Sequence, residues 1–201
     1  MSPRRYRMDG RAVATARTRH RIAGAAVLLH SQRGIAATSW DEIAAAAGVN
    51  RATVYRHFPR LEELVPACAR IAFEAIDLPA PEQLRAALAD LPDAGARLER
   101  IVRESCACFE RGADWLRAAR REGDLVPSVA EVNARVSAGA SALVEAALDG
   151  TFVTDDALRL LCVLIDFPFS QQLRDAGIPA GRVPDVIARL VRQVLAEEER
   201  Q

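Results

Sequence analysis

Six side chains with hydrogen-bonding heads stand within ten positions of one another: Arg51, Thr53, Tyr55, Arg56, His57 and Arg60. Guanidinium forks match phosphate oxygens and the paired acceptors of guanine, while hydroxyl and imidazole N–H groups donate to phosphate. This is the chemistry of holding a polyanion. Bond-making chemistry finds little support. The three histidines, His20, His30 and His57, all fall in the first 60 residues, so the remainder lacks the commonest acid–base group. There is no G-x-S-x-G, no glycine loop to cradle phosphate and no metal-ligand spacing. Cys68, Cys106, Cys108 and Cys162 form no C-x-x-C pair. Cys106 and Cys108 would stand about 200° apart around a helix, which keeps them from sharing a pocket and would strain a disulfide. They read as small core residues of a reduced compartment. No enzyme, cofactor or metal is expected.

The charge agrees with a polyanion partner. Residues 1–60 hold eleven arginines against Asp9, Asp41 and Glu42, a balance of +8. The other 141 residues hold 16 arginines against 24 acids, a balance of −8, and the chain has no lysine. A basic end on an acidic body suits a nucleic acid held by one end only. No apolar run approaches the roughly 20 residues that cross a bilayer, and no apolar signal core opens the chain. A cytoplasmic protein without a membrane partner is expected.

The elements that must position these groups are helical. Half of the 201 residues are apolar and few are aromatic, with Ala and Leu prominent and β-branched runs scarce, so the fold is expected to be all-α, and the length suits one large domain or a small head on a larger body. Residues 1–14 read as a disordered Arg-rich arm. From about Arg17 a helical period begins (Ile22, Ala25, Ala26, Leu29), and Gly34 offers a stop. Ser39-Trp40-Asp41-Glu42 is a capping box, followed by a short helix that Gly48 ends. Asn50 caps a second helix, Arg51 to Phe58, and Pro59 breaks it. Ile43, Ala44, Ala47, Val49 and Val54 would bury between the two. Residues 39–58 thus form a helix-turn-helix by spacing. A longer helix follows over Leu61 to Ile76, with Leu64, Cys68, Ile71, Ala72 and Ala75 on one face. Pro79 and Pro81 mark a loop. Amphipathic stretches come near 82–90, 94–121, 128–148, 155–175 and 183–198, and Pro168 should kink the fourth. The expected domains are an arm (1–14), a head (15–60) and a body (61–201).

The run from Thr38 to Phe58, TSWDEIAAAAGVNRATVYRHF, with its continuation Pro59-Arg60-Leu61-Glu62-Glu63-Leu64, resembles the signature of TetR-type (tetracycline-repressor-like) transcriptional regulators. That pattern is a capped helix ending in Ile-Ala, a Gly-Val turn and Thr-x-Tyr-x-His-Phe. With Gly34 upstream, the resemblance covers about residues 18–65. Leu61 departs from it, because family members often carry Lys just before the Glu at 62; the phosphate contact there either moves to Arg60 or is lost.

The resemblance implies that residues 51–58 are a recognition helix for the major groove. Arg51 would read guanine, and Ala52 and Thr53 a thymine methyl group. Arg56 would meet a base or a phosphate. Tyr55 and His57 either position phosphate or pack and bond within the head. Thr38 and Ser39 would offer backbone amides to another phosphate, with Asn50 and Arg60 completing the DNA-binding set. The arm, with Arg4, Arg5, Arg7 and Arg11, would enter the minor groove or remain a free tail. Two-fold symmetry is implied too: a homodimer on a palindromic double-stranded operator, built on the last two long helices, with Leu160, Leu164, Phe167, Phe169, Ile187, Leu190, Val191 and Val194 as candidates. The same residues could instead pack within one subunit. A pocket for an unknown small-molecule ligand is implied in the body, with Phe73, Leu98, Val102, Cys106, Phe109, Trp115, Leu116 and Leu143 as lining or as ordinary core. The function this implies is repression relieved by ligand; activation on the same scaffold, or a ligand-binding adaptor without DNA binding, are the alternatives.

Overall fold

The computed structural model describes residues 3–76 and 81–200, with the side chains of 3–9, 81 and 85 left aside. Every regular element among them is helical. Pro79 lies outside the described residues. Contacts divide the chain into two compact units. The first holds the residues through Ala75 with Asp114–Asn133; the second holds Ile76–Ala113 with the residues from Ala134 on.

The first unit opens with helix α1, Pro3–Arg33. This corrects the disordered arm expected over residues 1–14: residues 3–14 are helical. Arg, Met and Ala are good helix formers, and a proline in the first turn gives up an amide that has no intrahelical partner. The missing apolar period reflects exposure rather than lack of structure, since residues 10–17 face solvent. Helix α2 spans Trp40–Ala47, α3 Arg51–His57 and α4 Leu61–Ala75. Ile22, Ala23, Ala26, Ile43, Ala44, Ala47, Val54, Phe58, Leu64 and Cys68 form one buried cluster. The helix-turn-helix therefore does not close its core at residue 60. It needs Leu64 and Cys68 of α4, which explains why the compact unit runs through Ala75.

The second unit contains α5 (Pro81–Ala89), α8 (Asp155–Ile165), α9 (Phe167–Asp175), a 3-10 turn at Ala180–Arg182 and α10 (Val183–Glu198). Helices α6 (Ala94–Glu122) and α7 (Pro127–Ala147) contribute to both units. The stretch 155–175, expected as one kinked segment, is two helices. The break falls at Asp166, in extended backbone (ψ 156°), where it ends α8 and caps α9, its Oδ1 accepting from the Phe167 amide at 2.8 Å. Pro168 then sits in the first turn of α9, where a missing N–H costs little. The core of this unit joins Leu98, Ile101, Val102 and Cys106 of α6 to Leu161 and Leu164 of α8 and to Ile187, Val191 and Val194 of α10. No helix among the described residues is long and apolar enough to cross a membrane.

Candidate nucleic-acid interface

Local chemistry sets the helix-turn-helix. Ser39 Oγ accepts from the Glu42 amide at 3.3 Å while the Ser39 amide donates to Glu42 Oε2 at 2.9 Å, so the capping box is complete. These bonds, with Arg33 close by, hold the Glu42 carboxyl below the usual carboxylate range. Gly48 takes the left-handed conformation (φ 62°) that ends α2, and the Val49 amide returns to the Ala44 carbonyl at 3.0 Å. Two residues on, Asn50 Oδ1 accepts from the Thr53 amide at 2.8 Å and starts α3.

Helix α3 has two sides. Val54 and Phe58 are fully buried, and Thr53 and His57 are half-buried. Arg51, Ala52, Tyr55 and Arg56 are exposed, and the spacings 51/55 and 52/56 put them on one outward face. Four of the sequence-derived DNA candidates thus come together on one surface. Arg60 is also exposed, at the start of α4, with Glu63 at 3.7 Å. Thr38, Ser39 and Asn50 are employed differently. Their side chains bond backbone: Thr38 Oγ1 donates to the Gly34 carbonyl at 2.7 Å, and the other two are caps.

Contacts around α3 also join residues that are distant in sequence. Arg51 Nη1 lies 2.8 Å from Asp41 Oδ2, and its Nη2 donates to the Tyr55 hydroxyl at 3.2 Å. Both neighbours push the Arg51 guanidinium above its already high pKa, Tyr55 first. The Tyr55 ring stands 5.3 Å from that of Trp40, so Trp40 anchors α2 against α3. At the other end Arg19 of α1 donates to the His57 carbonyl and places its guanidinium 4.1 Å from the centre of the Phe58 ring. Desolvation, then Arg56 and Arg19, lower the His57 pKa, so at neutral pH it offers a ring N–H rather than a positive charge. Asp41 and Arg19 were missed by sequence reasoning. An acid and a base ten residues apart across the turn were the available signal for the first; the second has no local signal.

The body candidates disperse. Phe73 and Trp115 make an edge-on pair (5.7 Å, 70°) in the first unit, where Leu116 is also buried. Leu98, Val102 and Cys106 are buried core of the second unit, Leu143 packs on that core, and Phe109 meets Phe167 edge-on at 5.4 Å. A cleft of about 430 Å³ in the second unit is lined instead by Leu88, Ala89, Arg97, Glu145, Ala146 and Asp149. Burial pushes the Cys106 thiol up to about 11 and that of Cys68 to about 12, which leaves both unreactive near neutral pH. Of the dimer candidates, Leu164, Phe167, Ile187, Val191 and Val194 are buried within their own chain. Phe169 and Leu190 are half-buried against that core. Leu160 is exposed, and so is its α8 neighbour Val163, which sequence reasoning passed over.

An exposed basic helix on a capped helix-turn-helix, followed along the chain by further helices, is the form of an all-α DNA-binding head and body. Residues 22–68 match the family model described as bacterial regulatory proteins, tetR family. Solved structures agree in fold. A TetR-family regulator from Mesorhizobium loti is 21% identical, covers 90% of this chain and 96% of its own, and superposes with a TM-score of 0.67. A TetR-family member from Streptomyces coelicolor is 26% identical, with 86% and 97% covered and a TM-score of 0.62. NalD, the secondary repressor of the MexAB-OprM multidrug efflux pump in Pseudomonas aeruginosa, is 24% identical, with 92% and 96% covered and a TM-score of 0.63. No curated protein matches the chain by sequence. The head sequence over residues 22–68 is thus similar to that of the tetR family, and the chain shares the fold of the TetR-family structures.

Proposed function

We propose that the chain acts as a homodimeric repressor that grips a palindromic operator through α3 and leaves it when a small molecule binds the body. The observation that carries the reading is the outward face of α3. Arg51 and Arg56 bring two forked cations, Ala52 a methyl group and Tyr55 a hydroxyl, all on one side of a helix whose other side is locked into the core. Such a helix suits the major groove, about 12 Å wide. In this reading Arg51 and Ala52 meet bases, Arg56 a base or a phosphate, and Tyr55, His57 and Arg60 phosphates. Thr38, Ser39 and Asn50 shape the turns that present them.

Seven residues of helix read too few bases for specificity, so two copies on successive half-sites are needed. The exposed Leu160 and Val163 on α8 support a self-association surface there. The repressor sense draws support from NalD, whose fold the chain shares. A DNA partner accords with a non-catalytic regulator working in the cytoplasm.

The test is a salt series of binding to an operator recovered by random-site selection, beside scrambled DNA. Specific binding as a dimer, weakening steeply as salt rises, is the expected result. A protein that selects no site, or binds both DNAs equally, would overturn the reading.

A further inference from the structure

The geometry points to Glu122 as a positioning residue for operator binding: its buried carboxylate pins the turn that feeds the helix-turn-helix. The inference rests on the DNA-binding reading above. Glu122 is the last residue of α6 and is 6% exposed. Its Oε2 accepts from the Ala36 amide at 2.6 Å, in the turn between α1 and α2. Gly34, at φ 96°, gives the carboxylate its room; a Cβ there would lie 2.1 Å from Oε1 and displace it. The guanidinium of Arg121 stands 3.6 Å from the same oxygen. Among the described residues the turn's other bonds are short-range, Gly34 amide to His30 carbonyl (2.9 Å), Thr38 amide to Ile35 carbonyl (3.2 Å) and Thr38 Oγ1 to Gly34 carbonyl (2.7 Å), and it leads straight to the Ser39 cap of α2.

A carboxylate so buried is costly unless hydrogen bonds meet it, and an apolar side chain could fill the same space more cheaply. What the carboxylate adds is direction. It fixes one backbone amide three residues before the α2 cap, and thereby the entry of the chain into the helix pair. Helix α6 also supplies Leu98, Ile101, Val102 and Cys106 to the core of the second unit, so the anchor sits on an element that both units share.

Three readouts separate positioning from mere stability. For Glu122→Ala, operator affinity should fall tenfold or more while affinity for scrambled DNA holds. Hydrogen exchange at the Ala36 amide should accelerate while exchange in the α4 core does not. Glu122→Gln, which keeps an acceptor for Ala36, should restore operator affinity to within about threefold of wild type. Should Glu122→Ala fail to fold, Glu122→Asp carries the comparison, since it keeps the charge but draws the carboxylate back by one methylene. A folded Ala or Asp variant with wild-type operator affinity would overturn the inference alone, as would a parallel loss on both DNAs or a failure of Gln to restore binding. A wild-type protein that selects no operator would overturn the regulator reading instead.

Discussion

Asp41, in the first turn of α2, holds the guanidinium of Arg51, the first residue of α3, with 2.8 Å between Oδ2 and Nη1. Both side chains are more than half exposed, so the pair adds little to stability. Its effect is on direction: with Tyr55 on the other nitrogen, the Arg51 fork is oriented before DNA arrives. Arg51→Ala should weaken operator binding roughly ten- to hundredfold and relax one base preference. Asp41→Ala should leave the melting temperature unchanged yet reduce discrimination at that same base. Binding to a panel of single-base operator variants measures both, and a preference unaltered in Arg51→Ala would remove Arg51 from base reading.

Ser39 is the acceptor half of a completed capping box. Ser39→Ala should cost about 1 kcal/mol of stability, whereas Ser39→Asp, which keeps an acceptor at the cap, should cost little. Urea unfolding of the two variants reads the difference; equal losses would mean that the cap bond is not what stabilises the helix start.

His30 should make the protein acid-sensitive. It is 1% exposed, and neither ring nitrogen meets a hydrogen-bond partner among the described residues. Burial lowers its pKa from 6.5 to about 4, with the charge of Glu122 acting in the opposite sense. The unfolded chain therefore takes up a proton as pH falls through 6.5, and the folded chain refuses it until about pH 4. Stability contributed by the neutral ring is intact above pH 6.5, declines by about 3 kcal/mol down to pH 4, and is level below. His30→Leu should flatten that part of the acid limb and cost little at pH 7, because no hydrogen bond is lost. Identical pH slopes for wild type and variant between pH 7 and 4 would rule out His30 as the cause.

Leu160 and Val163 are exposed on α8, 45% and 58%, and contribute little to the core of their own chain. Leu160→Glu with Val163→Glu should yield a folded monomer with weak operator binding. Sedimentation and circular dichroism together check this. A dimer that survives both changes would place the interface on another surface.

The Arg-rich start of α1 invites a truncation. Removal of residues 1–14 should lessen the salt dependence of operator binding if Arg4, Arg5, Arg7 and Arg11 neutralise phosphates. An unchanged slope of log K against log salt would show that the segment stays off the DNA.

How much was legible follows from the range of the interactions involved. The capping box at Ser39, the left-handed Gly48, the Asn50 cap and the bounds of α10 depend on contacts within about four residues, and each stands where the pattern put it. The start of α1 misled because a helix exposed on all sides shows no apolar period, only propensity. Periodicity also revealed that Ile187, Val191 and Val194 share a face, but not what that face meets. Their burial in their own chain was decided by α6 and α8 closing over them. The contacts that orient the site lie further out: Arg51 to Asp41 across ten residues, Arg19 to His57 across 38, and Ala36 to Glu122 across 86. The sequence by itself determined the helix-turn-helix and its outward basic face, because caps, turns and helical period are written locally. Only the tertiary structure decided which acid steadies Arg51, which carboxylate holds the turn before α2, and which apolar residues of α8 remain exposed, because each depends on chain segments brought together by packing.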